Sequence, residues 1–256
     1  KSIWDKAFFM DKIPGAKCVI DFGCADGAMI HFLAPLFPDT TFIGFDISDK
    51  MINMAQAKKP FYPNVAFFKH HTDVIDYAKR ITAYNPSEIC INFSSVLHEV
   101  FSSTDGRDTI TEMVDELQPK YITIRDMYCD DPVAYLSSAT PNKEVVPILD
   151  KITEKYTYAH KKMHDYAEHF GMLKDWRDVT HLLMKFQWAY NGWDEELKEN
   201  YFSWTLNDMF KLCPNYSPIF ECRYQLPYLS EEWRASYGWY NPDVHTHAQF
   251  ILRRDV

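Results

Sequence analysis

Through residues 17–125, short apolar runs alternate with stretches of helical character, and this alternation is the strongest constraint on the fold. Positions 17–22, 41–45, 64–69, 88–93 and 121–125 read as strands, and 28–36, 50–58, 76–84 and 108–116 as helices between them. A strand followed by a helix and another strand implies a crossover connection, hence a mostly parallel sheet with helices on both faces. The rhythm then changes. Residues 131–200 hold no convincing strand, while 145–158, 159–170 and 176–190 read as helices punctuated by Gly171 and Gly192. Thr205 followed by Asp208 opens a further helix over 205–212 with a variant of the capping box. Strands over 219–226 and 247–253, joined by a longer loop, complete the pattern as an antiparallel hairpin. The expectation is a doubly wound α/β fold. It has a mostly parallel seven-stranded sheet with an antiparallel edge hairpin, and a helical insertion between the fifth and sixth strands. Residues 1–130 and 201–256 form the core, and 131–200 the insertion or cap.

The first strand runs into a distinctive turn. Residues 19–27 read V-I-D-F-G-C-A-D-G, with Asp21 closing the strand and Gly23 and Gly27 flanking the bend. Glycine permits such a turn and lets backbone approach a ligand with no Cβ in the way. The helix that follows presents free N–H groups, which favour a carboxylate. A dinucleotide fingerprint would place glycine at 23, 25 and 28, whereas this chain has Gly23, Ala25 and Ala28, so a dinucleotide is disfavoured. The second strand ends in Asp46, where a carboxylate can accept hydrogen bonds from both hydroxyls of a ribose.

The D-x-G-x-x-x-G spacing from Asp21 to Gly27 resembles motif I of class I S-adenosylmethionine (SAM)-dependent methyltransferases, with Cys24 and Ala25 in the turn. Ala25 stands where the commoner form has glycine. The segment Asp46-Ile47-Ser-Asp-Lys-Met51 is similar to the family's continuation, in which an apolar side chain flanks the adenine. Asp73 and Val74 stand where an acid and its neighbour's backbone meet the adenine amino group. The stretch from Asn92 and Phe93 to His98 and Glu99 resembles motif IV, whose first residues line SAM. The resemblance covers roughly residues 17–130, with a weaker likeness over the last 50, and leaves the middle segment unmatched. It implies the family's fold, SAM as cofactor and methyl transfer as the reaction. The implied cofactor residues are Asp21, Gly23, Cys24, Ala25, Gly27, Asp46, Ile47, Met51, Asp73, Val74, Asn92 and Phe93.

A neutral histidine can take a proton from an attacking oxygen or nitrogen, which makes His98, beside Glu99, a candidate base near the acceptor. Asp126, just past the fifth strand, faces the same edge. The histidine could equally only orient a loop or pack on SAM, and Asp126 is open to the same reading. His160 and His164, one helical turn apart beside Asp165, have ligand-like spacing, but a solvated polar face is the simpler reading and no metal is expected. His245 and His247 alternate on a strand and share one side of it, reaching the pocket or lining the sheet surface. The aromatics of the insertion (Tyr156, Tyr158, Tyr166, Phe170, Trp176, Phe186, Trp188, Tyr190, Trp193) read as helix-packing core before they read as a substrate box. Lys161 and Lys162 read as solvated surface, as do the basic residues between Lys1 and Lys17.

Composition narrows the partners. The net charge of -9 argues against a broad duplex-binding surface, because such binding comes from neutralising phosphates. Asn92-Phe93-Ser94-Ser95 replaces the N/D-P-P-Y/F tetrapeptide of DNA amino-methyltransferases, and no Pro-Cys pair follows the fourth strand. No run of about 18 apolar residues predicts a membrane span, and no signal-peptide pattern opens the chain. Six cysteines without C-x-x-C spacing fit a reducing, cytoplasmic setting. A small-molecule acceptor methylated on oxygen or nitrogen is the first expectation. RNA, a tRNA base or a nucleotide is the second, and a SAM-binding module that regulates or scaffolds without catalysis is the alternative of another class.

Overall fold

The computed structural model describes residues 3–102, 106–129, 146–155, 159–171, 173, 176–186, 188, 191–238 and 245–255. Its sheet comprises β1 (Cys18–Phe22), β2 (Thr41–Phe45), β3 (Val65–Phe68), β4 (Ile89–Ser94), β5 (Tyr121–Met127), β6 (Tyr216–Tyr224) and β7 (His247–Arg254). The strand order is β3-β2-β1-β4-β5-β7-β6. β1 to β5 pair in parallel, with Cys18 opposite both Thr41 and Ile89. β7 runs against its neighbours: Tyr128 N–H donates to Thr246 O at 3.0 Å while Arg254 N–H donates to Lys120 O at 3.0 Å, so the residue numbers rise on one strand as they fall on the other. The chain winds outward from β1 to β3 and returns to β4 on the opposite flank of β1. That reversal opens a crevice at the carboxyl ends of β1 and β4.

All five residues of β1 and all six of β4 are buried. Strands covered by helices on both faces must be apolar throughout, which explains the unbroken hydrophobic runs in the sequence. Asp21, Asn92 and Ser94 are the exceptions, and the parallel register places the first two side by side.

The described residues divide into two compact units. One comprises Lys1–Asp126, Leu206–Cys222 and Gln249–Val256; the other comprises Met127–Thr205 and Arg223–Ala248. The first is built on a core that includes Phe9, Val19, Ile30, Phe42, Cys90 and Ile251. The second is mainly helical, with helices Val146–Lys155, Ala159–Phe170, Trp176–Phe186 and Pro227–Tyr237. Its core takes up Tyr166, Phe186 and Trp193, with Phe170 and Trp176 packed against it, as expected for helix-packing aromatics. Tyr156, Tyr158 and Tyr190 lie outside the described residues.

Three local departures from the sequence reading have physical causes. The helix after β3 starts at His71 rather than 76, because Val74, Ile75 and Ala78 form a buried stripe that carries the polar first turn with it. β5 extends to Met127, so Asp126 lies within the strand. The connection from β6 to β7 is not a plain loop: it holds the helix Pro227–Tyr237, started by Pro227 and stopped by Gly238 in the left-handed region. β7 is inserted beside β5, which leaves β6 as the edge strand.

Candidate cofactor-binding site

The turn after β1 is shaped by glycine. Gly23 sits at φ 72°, and a Cβ there would lie 2.5 Å from Val96 Cγ2. Gly27 sits at φ 69°, and a Cβ there would meet the Phe67 ring at 2.6 Å. No side chain fits either place. Ala25, between them, also adopts the left-handed region at φ 47°. Its amide donates to Asp46 Oδ2 at 2.9 Å, while Ser48 N–H donates to Asp46 Oδ1 at 2.9 Å. Asp46 thus ties the turn after β1 to the turn after β2, and each of its oxygens keeps further acceptor capacity.

Beneath the turn, a polar ladder crosses three strands. Asn92 Nδ2 donates to Asp21 Oδ1 at 2.8 Å, and Thr123 Oγ1 donates to Asn92 Oδ1 at 2.9 Å. Burial pushes the Asp21 carboxyl up to about 7, against the pull of the Asn92 hydrogen bond and the Lys6 ammonium. Burial also pushes the Cys24 thiol up, so this side chain is a neutral wall rather than a thiolate.

Two cavities meet at Gly23. One, of about 240 Å³, is lined by Asp21, Cys24, Ala25, Asp26, Ser94 and Lys6, among others. It is the more polar of the two, and Ser94 Oγ is buried within its wall with no hydrogen-bond partner among the described residues. The other, of about 360 Å³, is lined by Phe22, Phe45, Asp46, Ile47, Val96, Glu99, Val100, Gly106 and Thr109. It is largely apolar. Ile47 is 80% exposed beside it, a large apolar side chain with no protein surface to cover it.

Six of the residues expected at a cofactor line these cavities: Asp21, Gly23, Cys24, Ala25, Asp46 and Ile47. Gly27, Met51, Asp73, Val74, Asn92 and Phe93 do not. Gly27 shapes the turn from behind, and Met51 lies in the first turn of the helix Asp49–Ala57. Asp73 is exposed in the first turn of its helix, and Val74 is fully buried with its amide donating to His70 O at 3.3 Å. Asn92 and Phe93 are fully buried, so Ser94, one residue on, faces the cavity in their stead. The sequence reading missed Lys6, Ser94, Val96 and Thr109. Only Ser94 carried a signal, its place at the very end of a strand.

Asp126 and His98 form a buried pair. Asp126 Oδ2 accepts from the amides of Val96, Leu97 and His98 at 3.1, 2.6 and 3.1 Å, capping the helix Leu97–Ser102. Its Oδ1 lies 2.7 Å from His98 Nδ1. Glu99 Oε1 lies 3.9 Å from His98 Nε2. The carboxylate therefore fixes the imidazole orientation from the Nδ1 side, and the His98 side chain is buried. In the second unit, His164 pairs with Glu168 at 3.7 Å on an exposed helix face, and Asp165 is engaged by Lys161 at 3.0 Å and Trp193 Nε1 at 3.3 Å.

Fold and cavities together define an open α/β domain whose ligand site lies at the carboxyl ends of β1, β2 and β4, where the winding reverses. Residues 20–119 match the family model of a methyltransferase domain. Among solved structures, a SAM-dependent methyltransferase from Anabaena variabilis ATCC 29413 aligns over 98% of this chain and 83% of its own at 15% identity, with a TM-score of 0.53. An S-adenosylmethionine-dependent methyltransferase from Mesorhizobium loti aligns over 97% and 95% at 14% identity, with a TM-score of 0.50. At such identity these two speak for the fold alone. None of the curated proteins matches the sequence.

SAM is the cofactor of this family, and the residues present fit it. The first cavity offers the Asp21 carboxylate, the Lys6 ammonium and an orphaned hydroxyl to an amino-acid group, Asp26 being paired with Lys58; the apolar one offers Asp46 and Ile47 to an adenosyl group.

Proposed function

We propose that this methyltransferase acts on an oxygen or nitrogen of a small molecule, with His98 as the base and Asp126 as the residue that positions it. When bound, SAM supplies an activated methyl group, so the protein's own contribution is orientation, exclusion of water and removal of the acceptor proton. His98 Nε2 accepts that proton, and Asp126, bound at Nδ1, stabilises the imidazolium that forms. Glu99 stands close enough to His98 to aid the same charge. In this reading Asp126 is not itself a base, because both its oxygens are occupied.

The observation that carries the choice of acceptor is the burial of the aromatics that could have stacked on bases. Tyr166 is 1% exposed and Trp193 3%, while Trp188 is the one exposed member of that set among the described residues. Base-stacking platforms must be open to solvent, and the net charge of -9 gives no broad attraction for phosphates. RNA or a nucleotide is the second reading, favoured only by the overall abundance of aromatics. A cytoplasmic setting fits the six cysteines without C-x-x-C spacing; no helix among the described residues is long and apolar enough to cross a membrane. Incubation of the protein with methyl-labelled SAM and a cell extract, separated into small-molecule, RNA and protein fractions, tests the proposal. Label in the small-molecule fraction is expected. Label confined to RNA or protein overturns it, and no label above background in any fraction favours a non-catalytic SAM-binding module.

A further inference from the structure

We propose that Lys6, carried over the polar cavity by the short helix Ile3–Lys6, is the counter-ion for the carboxylate at the methionyl end of the cofactor. This rests on the reading of the two cavities as the SAM cradle and adds a residue outside the turn after β1.

A helix of four residues has no stability of its own. This one is held in place by Asp5. Arg125 donates to Asp5 Oδ2 from Nε at 2.7 Å and lies within 2.6 Å of it through Nη2. Gln249 Nε2 donates to Asp5 Oδ1 at 2.8 Å and to Asp5 O at 3.0 Å. Trp4 packs edge-on against Phe32 with ring centroids 4.8 Å apart. Two buried polar side chains from β5 and β7 thus fix the turn on which Lys6 sits, and Ile3 and Lys6 line the polar cavity together with Asp21 and Ser94.

Among the described residues, Lys6 is the only cation lining either cavity and its Nζ has no hydrogen-bond acceptor. Burial and the neighbouring Arg125 guanidinium lower its pKa, against the pull of Asp21, Asp126 and Asp5. An ammonium in that position gains from an added anion. Asp21, with one oxygen on Asn92, offers the complementary negative charge. Two carboxylates line this cavity of about 240 Å³, and Asp26 is already paired with Lys58 at 2.5 Å; Asp21 and the Lys6 ammonium remain to match the two charges of an α-amino acid, and the unpartnered Ser94 hydroxyl can donate to the ligand's carboxylate.

The test compares S-adenosylhomocysteine with 5′-methylthioadenosine, which keeps the adenosyl group and lacks the amino-acid end. Calorimetric titration of the wild-type protein, Lys6→Met, Lys6→Gln and Lys6→Arg provides the readout. Lys6→Met and Lys6→Gln are expected to weaken S-adenosylhomocysteine about 10- to 100-fold, the range of a lost charge-assisted hydrogen bond, and to leave 5′-methylthioadenosine unchanged, with Lys6→Arg restoring most of the loss. Retained binding of 5′-methylthioadenosine also shows that the variants are folded. Equal weakening of both compounds, or of neither, overturns the assignment of Lys6 while leaving the cradle intact. A wild-type protein that binds neither compound overturns the cradle and Lys6 together.

Discussion

The amide of Ala25 donates to Asp46 Oδ2 at 2.9 Å, which joins two turns 21 positions apart through a single carboxylate. Asp46 therefore has two tasks: it holds the glycine turn in shape and presents acceptor capacity to a ribose. Asp46→Ala should weaken S-adenosylhomocysteine binding by about 1–3 kcal/mol and lower the thermal midpoint as well, because two backbone amides lose their acceptor. Asp46→Asn keeps one acceptor oxygen and should fall between. Calorimetry paired with thermal unfolding checks both; an unchanged dissociation constant for Asp46→Ala removes the ribose assignment.

Asp21 makes cofactor binding depend on pH. Burial raises its carboxyl from 3.8 to about 7. Between those values the folded protein holds a proton that the unfolded chain has released, so this group's contribution to stability is lost as pH rises through 7. Binding has the opposite sign. A cofactor ammonium favours the ionised carboxylate, so affinity for S-adenosylhomocysteine should rise by roughly tenfold from pH 6 to pH 8, with proton release on binding near neutrality. In Asp21→Asn the profile should be flat over that interval. A wild-type affinity independent of pH would show that Asp21 does not meet the ligand's charge.

Asp126 and His98 should separate stability from turnover. Asp126→Ala removes the acceptor of three buried amides and the partner of a buried imidazole, and should cost about 3–5 kcal/mol of folding free energy. His98→Gln leaves the cap in place. It should unfold at a denaturant midpoint near that of the wild-type protein while methyl transfer falls by about 100-fold or more, the lower range for loss of a general base. Unchanged turnover in His98→Gln would assign the histidine a purely structural role.

The two small residues of the turn should respond oppositely to substitution. Gly23→Ala adds left-handed strain and a clash with Val96, and should cost about 2–4 kcal/mol while abolishing cofactor binding. Ala25→Gly relieves strain at φ 47° against the greater entropy of glycine, and should change stability by no more than about 1 kcal/mol with binding retained. Thermal unfolding of both variants with and without S-adenosylhomocysteine distinguishes them. A tolerated Gly23→Ala would mean that the turn is looser than its geometry implies.

The legible part of this protein is the part written contiguously. The turn from Asp21 to Gly27 and the acid at Asp46 show in the sequence because strand end, glycine spacing and carboxylate follow each other within one βαβ unit. The parallel direction of the first five strands followed from the crossover rule. What escaped depends on distant partners. Lys6 reaches the cavity only because Asp5 is caught by Arg125, 120 positions on, and by Gln249, 244 positions on. His98 and Asp126 stood out singly, one in the segment after β4 and one near the end of β5, but their pairing needed the adjacency of β4 and β5. Asp73 misled because a polar first turn reads as loop until the buried stripe behind it is seen.

The three amides from Val96 to His98 converge on one buried carboxylate, so the segment that a sequence reader would take for a pliable connection is anchored as firmly as the strand beneath it. In hydrogen exchange these amides should open only with β5 itself. An incoming acceptor would then meet a rigid wall on this side of the crevice, and selectivity there would come from shape already in place rather than from closure around the guest.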